Sequence, residues 1–218
     1  MRIYEDSVAA FRSGETGRAE ELALELLSRA RDEGDTGGQV DGLCMLARVA
    51  LRRGDLDHVR ALAGEARALA RRAGERRLER MPIHMQAAAV RMSGDYSGAR
   101  VLYEESIVLN RQLGEERMVA SEHRNLAYVE LHDGHGDRAR QLFANAAQDA
   151  RALGYEALEP FLLLDAAVVA FEDGDTSRAA QLVAAARAAL AEAGQIPDPD
   201  DAAEEEWLEA DLYWMGLS

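Results

Sequence analysis

Glycine recurs at a fixed interval along this chain, and that regularity constrains the fold more than any other feature. Two interleaved series of glycines each repeat every 40 residues. The first is Gly14, Gly54, Gly94, Gly134 and Gly174, and the second is Gly34, Gly74, Gly114, Gly154 and Gly194. Together they account for ten of the 18 glycines. The chain is therefore built from internal repeats.

The segments between the glycines have the periodicity of amphipathic helices. One example starts at Leu62: the residues four, seven and eleven positions after it are Ala66, Leu69 and Ala73, which lie on the same side of a helix. These segments are rich in Ala, Leu, Glu and Arg, which favour helix, and no alternating β-branched run indicates a strand. Because glycine adopts positive φ without steric cost, each repeated glycine is expected to end a helix. The predicted unit is helix A, turn, helix B, turn.

Several columns of side chains keep the same period. A-helices are expected near 1–13, 38–53, 77–93, 117–133, 157–173 and 200–214, and B-helices near 16–33, 56–73, 96–113, 136–153 and 176–193. Small residues that let the helices of a unit approach closely stand seven positions before the first-series glycines, at Ser7, Ala47, Ala87, Ala127 and Ala167. Asp55, Asp95 and Asp175 directly follow glycines, where a short acceptor caps the next helix.

The order apolar, small, Gly-Asp, Ala, as in Ile83, Ala87, Gly94-Asp95 and Ala99, resembles the tetratricopeptide repeat (TPR). The resemblance is to the long-unit type of kinesin light chains and of helical domains in bacterial regulators. It implies an all-α, right-handed α-solenoid of five helix-turn-helix repeats of 40 residues plus a C-terminal capping helix. One domain is expected over 1–218, with repeats near 1–34, 35–74, 75–114, 115–154 and 155–194 and the cap at 195–218.

The last predicted helix has no B partner, and Trp207 occupies its small-residue column. Trp207, Leu208, Leu212 and Trp214 are expected to cover the open apolar end of the repeats, while the glutamates of this helix face water. Terminal caps of this kind keep solenoids soluble.

Charge is unevenly placed along the chain, which carries 40 acidic and 25 basic residues for a net charge of −15. Segment 48–91 holds eleven Arg against five acids, whereas 188–218 holds nine acids and no basic residue. Solvated helix faces explain this pattern; the alternative is a homo-oligomer formed head to tail through basic 48–91 and acidic 198–211. The net charge and the lack of an aromatic stacking platform argue against nucleic acid as a partner.

Catalytic and cofactor motifs are missing from the sequence. Cys44 is the single cysteine, the five histidines have no metal-ligand spacing, and neither a phosphate loop nor a nucleophile elbow occurs. We therefore expect neither enzyme activity, nor a metal, nor a cofactor. No apolar run is long enough to span a membrane, and the expected location is the cytoplasm.

The TPR resemblance implies that the A-helices line a concave groove in which ligands bind. The candidate partner-binding residues on that face are Arg48, Met81, His84, Met85, Arg91, Arg124, Asn125, Tyr128 and Phe161. Methionines suit irregular apolar ligands and arginines hold carboxylates by charge-assisted hydrogen bonds. Both have a structural alternative, since the methionines suit a core and the arginines can pair with Asp41, Asp165 or a nearby Glu.

These features predict a non-catalytic module for protein–protein or peptide interaction, with a partner segment held in the groove, as a scaffold or a regulator. The alternative is a ligand-responsive sensor that binds a small peptide or metabolite as part of a bacterial signalling or transcription regulator. A deep closed pocket would favour the sensor, and an open groove would favour the interaction module.

Overall fold

The chain is folded into α-helices throughout the part that the structure, a computed structural model, describes. This part is residues 2–214, and it contains eleven α-helices and no strand. They are α1 (Arg2–Arg12), α2 (Thr16–Glu33), α3 (Thr36–Arg52), α4 (Leu56–Ala73), α5 (Arg80–Met92), α6 (Tyr96–Gln112), α7 (Glu116–His132), α8 (Gly136–Ala152), α9 (Glu159–Glu172), α10 (Thr176–Glu192) and α11 (Pro199–Trp214). The alternation of A- and B-helices predicted from the glycines is confirmed.

The predicted helix ends are also confirmed. Every glycine of the two series has positive φ. At the end of α2, Gly34 has φ 69°. The amide of the following Asp35 donates to the carbonyl of Ala30 at 2.8 Å, which gives a carbonyl in the last turn of the helix a hydrogen-bond partner. At helix starts, Asp55 and Asp175 cap α4 and α10 by accepting from backbone amides three residues on. A side chain at Gly34 would be strained by the backbone alone.

Two A-helices begin later than predicted. Short 3₁₀ turns, Arg76–Glu79 and Glu156–Leu158, precede α5 and α9. A proline lies close behind each start, Pro82 in α5 and Pro160 at the beginning of α9. Since proline has no amide hydrogen to donate, it is tolerated in the first turn of a helix, so these prolines fix where regular helix begins.

The helices divide into two compact units. Unit 1 comprises the described residues up to Glu115, with α1–α6, and unit 2 comprises those from Glu116 onward, with α7–α11. The predicted small column is fully buried in both, and Ala47, Ala87, Ala127 and Ala167 are each 0% exposed. Leu62 in unit 1 packs against two core clusters and thereby joins neighbouring helix pairs.

The core of unit 2 includes the last helix. Leu208 and Leu212 of α11 are buried in one cluster with Ala127 and Tyr128 of α7 and Leu164 of α9. The predicted role of these leucines as cover for apolar surface is therefore confirmed, whereas the side chain of Trp214 lies outside the described residues. Within residues 2–214, no helix combines the length and the apolar character needed to cross a bilayer.

Candidate functional site

The candidate residues of unit 1 differ in accessibility. Met81 is 36% exposed, Arg48 and His84 are half-buried, and Met85 and Arg91 are buried. The guanidinium of Arg48 stacks 4.5 Å from the ring centre of Phe11. Met85 belongs to a core cluster, which is the structural alternative that the sequence left open for the methionines.

Unit 2 brings three of its four candidates together. The guanidinium carbon of Arg124 lies 5.2 Å from the ring centre of Tyr128 and 5.3 Å from that of Phe161. Phe161 is half-buried, whereas Arg124 and Tyr128 are buried. Asn125, also buried, donates to the Glu122 carboxylate at 3.3 Å. An arginine with aromatic rings beside it is a suitable receptor for a carboxylate.

The carboxylates that Arg124 meets come from two other helices of unit 2. Its Nε lies 2.8 Å from Oδ1 of Asp165 on α9, and its Nη1 donates to Oδ1 of Asp201 on α11 at 2.5 Å. The Tyr128 hydroxyl donates to the same Asp165 oxygen at 2.9 Å. The side chains of Arg124 and Asp165 are each 4% exposed and that of Asp201 is 9% exposed. Pairing of Arg124 with Asp165, the alternative left open by the sequence, is thus confirmed, with Asp201 as a second partner.

Burial dominates the ionisation of this cluster. It raises the pKa of Asp165 to about 6 although Arg124 acts in the opposite direction. It likewise raises the pKa of Asp201 to about 7, again against the effect of Arg124. One guanidinium cannot fully compensate two carboxylates removed from water, so the cluster takes up protons as the pH falls towards 6.

More of α11 is held on the same side of α7 and α9. Glu204 lies 2.6 Å from Nε2 of His132 on α7. The ring of Trp207 meets the rings of His132 and Phe171 edge to face, with centroid distances of 5.0 and 6.2 Å. We call the surface formed by Arg124, Tyr128, His132, Asp165 and Phe171 the α7–α9 surface. It contains the face of α7 that the sequence predicts to bind a ligand, and α11 occupies it.

A third helix adds a basic side chain to these contacts. Arg187 of α10 pairs with Glu205 and, at 2.6 Å, with Glu209. The expectation that the glutamates of the last helix face water is wrong for Glu204 and Glu205, which are buried. They turn inward because basic side chains of α7 and α10 receive them.

Sequence reasoning missed this internal destination of the acidic segment. The signal was present, because Asp201, Glu205, Leu208 and Leu212 share one helical stripe. The sequence alone did not show that Arg124 and Arg187 lie opposite that stripe. Two basic residues of 48–91, the segment that the head-to-tail alternative would use to receive the acidic end, have partners within unit 1: Arg71 pairs with Glu79 and Arg80 pairs with Glu115.

Between residues 2 and 214, no three His, Cys, Asp or Glu side chains are grouped so that they could hold a metal ion. Cys44 is buried, and burial raises the pKa of its thiol, so it stays protonated at neutral pH. The α7–α9 surface packs against α11 of the same chain through charged, aromatic and aliphatic contacts.

Comparison by sequence yields no relative: no protein-family model matches the chain, and no curated protein matches it. Comparison of structures yields clear similarities, each at low sequence identity. A Rap protein complexed with competence and sporulation factor superposes with a TM-score of 0.73 at 15% identity, covering 94% of this chain and 54% of that chain. This chain thus spans about half the length of that Rap protein.

Two further solved structures have the same type of fold. A signal transduction ATPase with numerous domains from Pyrococcus horikoshii, which carries a tetratricopeptide repeat sensor, gives a TM-score of 0.66 at 14% identity, over 84% of this chain and 28% of that chain. BtubC from P. vanneervenii gives 0.60 at 22% identity, over 94% of this chain and 84% of that chain. The chain therefore has a TPR-like, all-helical repeat fold of the solenoid type.

Proposed function

We propose that this protein is a non-catalytic interaction module of the cytoplasm that holds a segment of a partner protein or a peptide against its A-helices. The observation that carries the proposal is the seating of α11 on the α7–α9 surface. That surface already binds a polypeptide helix through Arg124, His132 and the ring of Phe171. A surface that holds one segment by side-chain contacts has the chemistry to hold another.

The structural comparisons support the same class of function. The Rap protein was solved with a bound factor, and the Pyrococcus horikoshii protein uses its tetratricopeptide repeats as a sensor. The bound factor belongs to the Rap protein and the sensor role to the Pyrococcus horikoshii protein. The similarity of fold supports for this chain only the general role of holding a partner.

The residues that we propose for partner binding divide by accessibility. Arg48, Met81, His84 and Phe161 are reachable in the described structure, and a partner can contact them directly. Arg124, Asn125 and Tyr128 are buried, and Arg124 pairs with α11, so contact with it requires movement of that helix. Met85 and Arg91 are buried as well and act by supporting the accessible side chains of α5.

Selection of displayed peptides on the full chain tests this proposal. Peptides that bind should bind at least about tenfold more weakly to Arg48→Glu, His84→Ala or Phe161→Ala, because each change removes a charge or a contact worth about 1.4 kcal/mol or more. Val101→Ser is the matched control, since Val101 is 65% exposed on the B-helix α6. If the peptides bind Val101→Ser more weakly but bind the three A-helix variants as tightly as the unchanged chain, the binding surface lies on the B-helices and the proposal is refuted.

A homo-oligomer formed through basic 48–91 and acidic 198–211 remains a separate prediction. Several of the acids it needs are already engaged within the chain, Asp201 with Arg124 and Glu205 with Arg187. Sedimentation at low and at high salt tests it, and a monomer at both salt concentrations would eliminate it.

A further inference from the structure

The contacts of α11 form a regular pattern along one side of the helix. Asp201, Glu205 and Glu209 stand four residues apart, and Glu204, Leu208 and Leu212 follow the adjoining row at the same spacing. The acidic row meets Arg124 and Arg187, and Glu204 meets His132. Leu208 and Leu212 enter the core. One face of α11 is therefore an acidic and aliphatic stripe that matches basic and apolar groups on three helices.

The receiving groups come from separate helices of unit 2, so their spacing is a property of the folded surface. Arg124 and His132 lie two turns apart on α7, and Arg187 lies on α10. These three side chains meet carboxylates spread over nine residues of α11, from Asp201 to Glu209. The surface therefore matches several carboxylates spaced along one face of a helix. A single carboxylate would contact only one of the three side chains Arg124, His132 and Arg187.

Opposing contributions determine how firmly α11 is seated. Burying Asp201 and Glu204 removes two carboxylates from water, and that cost offsets most of the attraction to their partners. The apolar contribution comes from Leu208, which is 0% exposed, from Leu212, which is 6% exposed, and from the half-buried ring of Trp207. The segment 195–198, which joins α10 to α11, has no regular structure. Such a helix can leave its surface without unfolding the helices beneath it.

We propose that α11 is the resident occupant of the α7–α9 surface, and that the partner segment is an acidic amphipathic helix of another protein that displaces it. This inference rests on the proposed function and specifies its ligand and its regulation. The incoming helix must present carboxylates and aliphatic side chains at the spacing that α11 presents. Because α11 is tethered, it competes at high effective concentration, and the intact chain binds the partner more weakly than a chain whose α11 is undocked.

The probe is a labelled synthetic peptide of residues 197–214, and its binding to full-length chains is followed by fluorescence anisotropy. In Leu208→Asp/Leu212→Asp, two charges enter the apolar cluster and undock the tethered helix. This variant should bind the peptide at least about tenfold more tightly than the unchanged chain. Adding Arg187→Gln should weaken that binding about three- to tenfold. Adding Arg178→Gln should not, because Arg178 is exposed in the first turn of the same helix, nine residues before Arg187.

The acidic character of the ligand is tested with a second peptide in which Asp201→Arg and Glu204→Arg reverse two charges. That peptide should not bind the undocked chain, and binding equal to that of the native peptide would refute the acidic assignment. If circular dichroism shows that Leu208→Asp/Leu212→Asp has lost helix, Glu205→Gln/Glu209→Gln replaces it, since it frees Arg187 without touching the core. Tighter peptide binding by this variant than by the unchanged chain supports the inference.

Two results would overturn the inference in ways that differ from failure of the proposed function. Equal affinity of the native peptide for the unchanged and the undocked chains would show that α11 is not a competitor. Peptides selected by display could still depend on Arg48 and Phe161, and the interaction module would then stand. A dimer of the unchanged chain that dissociates when the peptide is added would identify the displacing helix as α11 of a second copy.

Discussion

Replacement of Arg124 by methionine tests the buried charge cluster of unit 2 directly. The change keeps a long apolar side chain but leaves Asp165 and Asp201 facing each other without their shared cation. All three side chains are less than a tenth exposed. Removal of one member of a buried ion pair costs about 3–5 kcal/mol, since an uncompensated charge stays behind. Because Arg124 serves two carboxylates, we expect a loss of unfolding free energy at the upper end of that range.

Urea unfolding followed by circular dichroism at about pH 8 measures this loss. The matched control is Arg140→Met, which breaks the exposed pair with Asp173 and should cost at most about 1 kcal/mol. The triple change Arg124→Met/Asp165→Asn/Asp201→Asn removes all three charges and should recover most of the stability. Replacing a whole buried ion cluster by uncharged side chains changes the free energy of unfolding little.

The pH dependence gives an independent check of the same reasoning. At about pH 5 both carboxyls are protonated in the folded chain, because burial raises the pKa of Asp165 to about 6 and that of Asp201 to about 7. The deficit of Arg124→Met should therefore shrink at low pH. A deficit no larger than that of Arg140→Met at about pH 8, or one that is unchanged at about pH 5, would refute the buried cluster.

Three further predictions concern linkage, turns and the terminal helix. The folded chain binds more protons than the unfolded chain between about pH 4 and 7, since the pKa values of Asp165 and Asp201 are raised in the folded chain. The free energy of unfolding, measured in urea, should therefore fall as the pH rises through that window. Asp201→Asn should make this dependence of the unfolding free energy on pH less steep. Gly74→Ala should lower the free energy of unfolding by about 1–2 kcal/mol because Gly74 has φ 71°. Gly64→Ala should raise it by about 0.5–1 kcal/mol in the same assay, because Gly64 lies inside α4 and an added methyl group would be 3.9 Å from the nearest atom, on Gln86. Removal of the chain from Pro199 onward should expose the cluster beneath Leu208 and increase binding of an apolar dye or self-association; a truncated chain that stays monomeric and binds no more dye would contradict the packing described for α11.

Helices and their ends were predictable from the chain because their causes are local. The 40-residue spacing of the glycines predicted the alternating helices, and the positive φ of Gly34 and Gly74 follows from the absence of a side chain. The aspartate caps depend on contacts three residues apart. The small columns predicted where helices meet, since only a small side chain fits between two closely packed helices.

Within the candidate site, the sequence put Arg124, Tyr128 and Phe161 on one expected face of the A-helices, where the structure brings their side chains together. It did not place α11 over them. The contact between Arg124 and Asp201 joins residues 77 positions apart, and no local periodicity encodes such a distance.

The sequence by itself determined the repeat, the helices and the residues that share each face, since hydrogen bonding and φ preferences act over a few residues. Only the tertiary structure decided that the acidic end of the chain turns inward. Burial of Leu208 and Leu212 carries the helix onto α7 and α9, and basic side chains from α7 and α10 then receive its carboxylates. That outcome depends on the balance between apolar burial and charge desolvation, which exists only once the separate helices have been brought together.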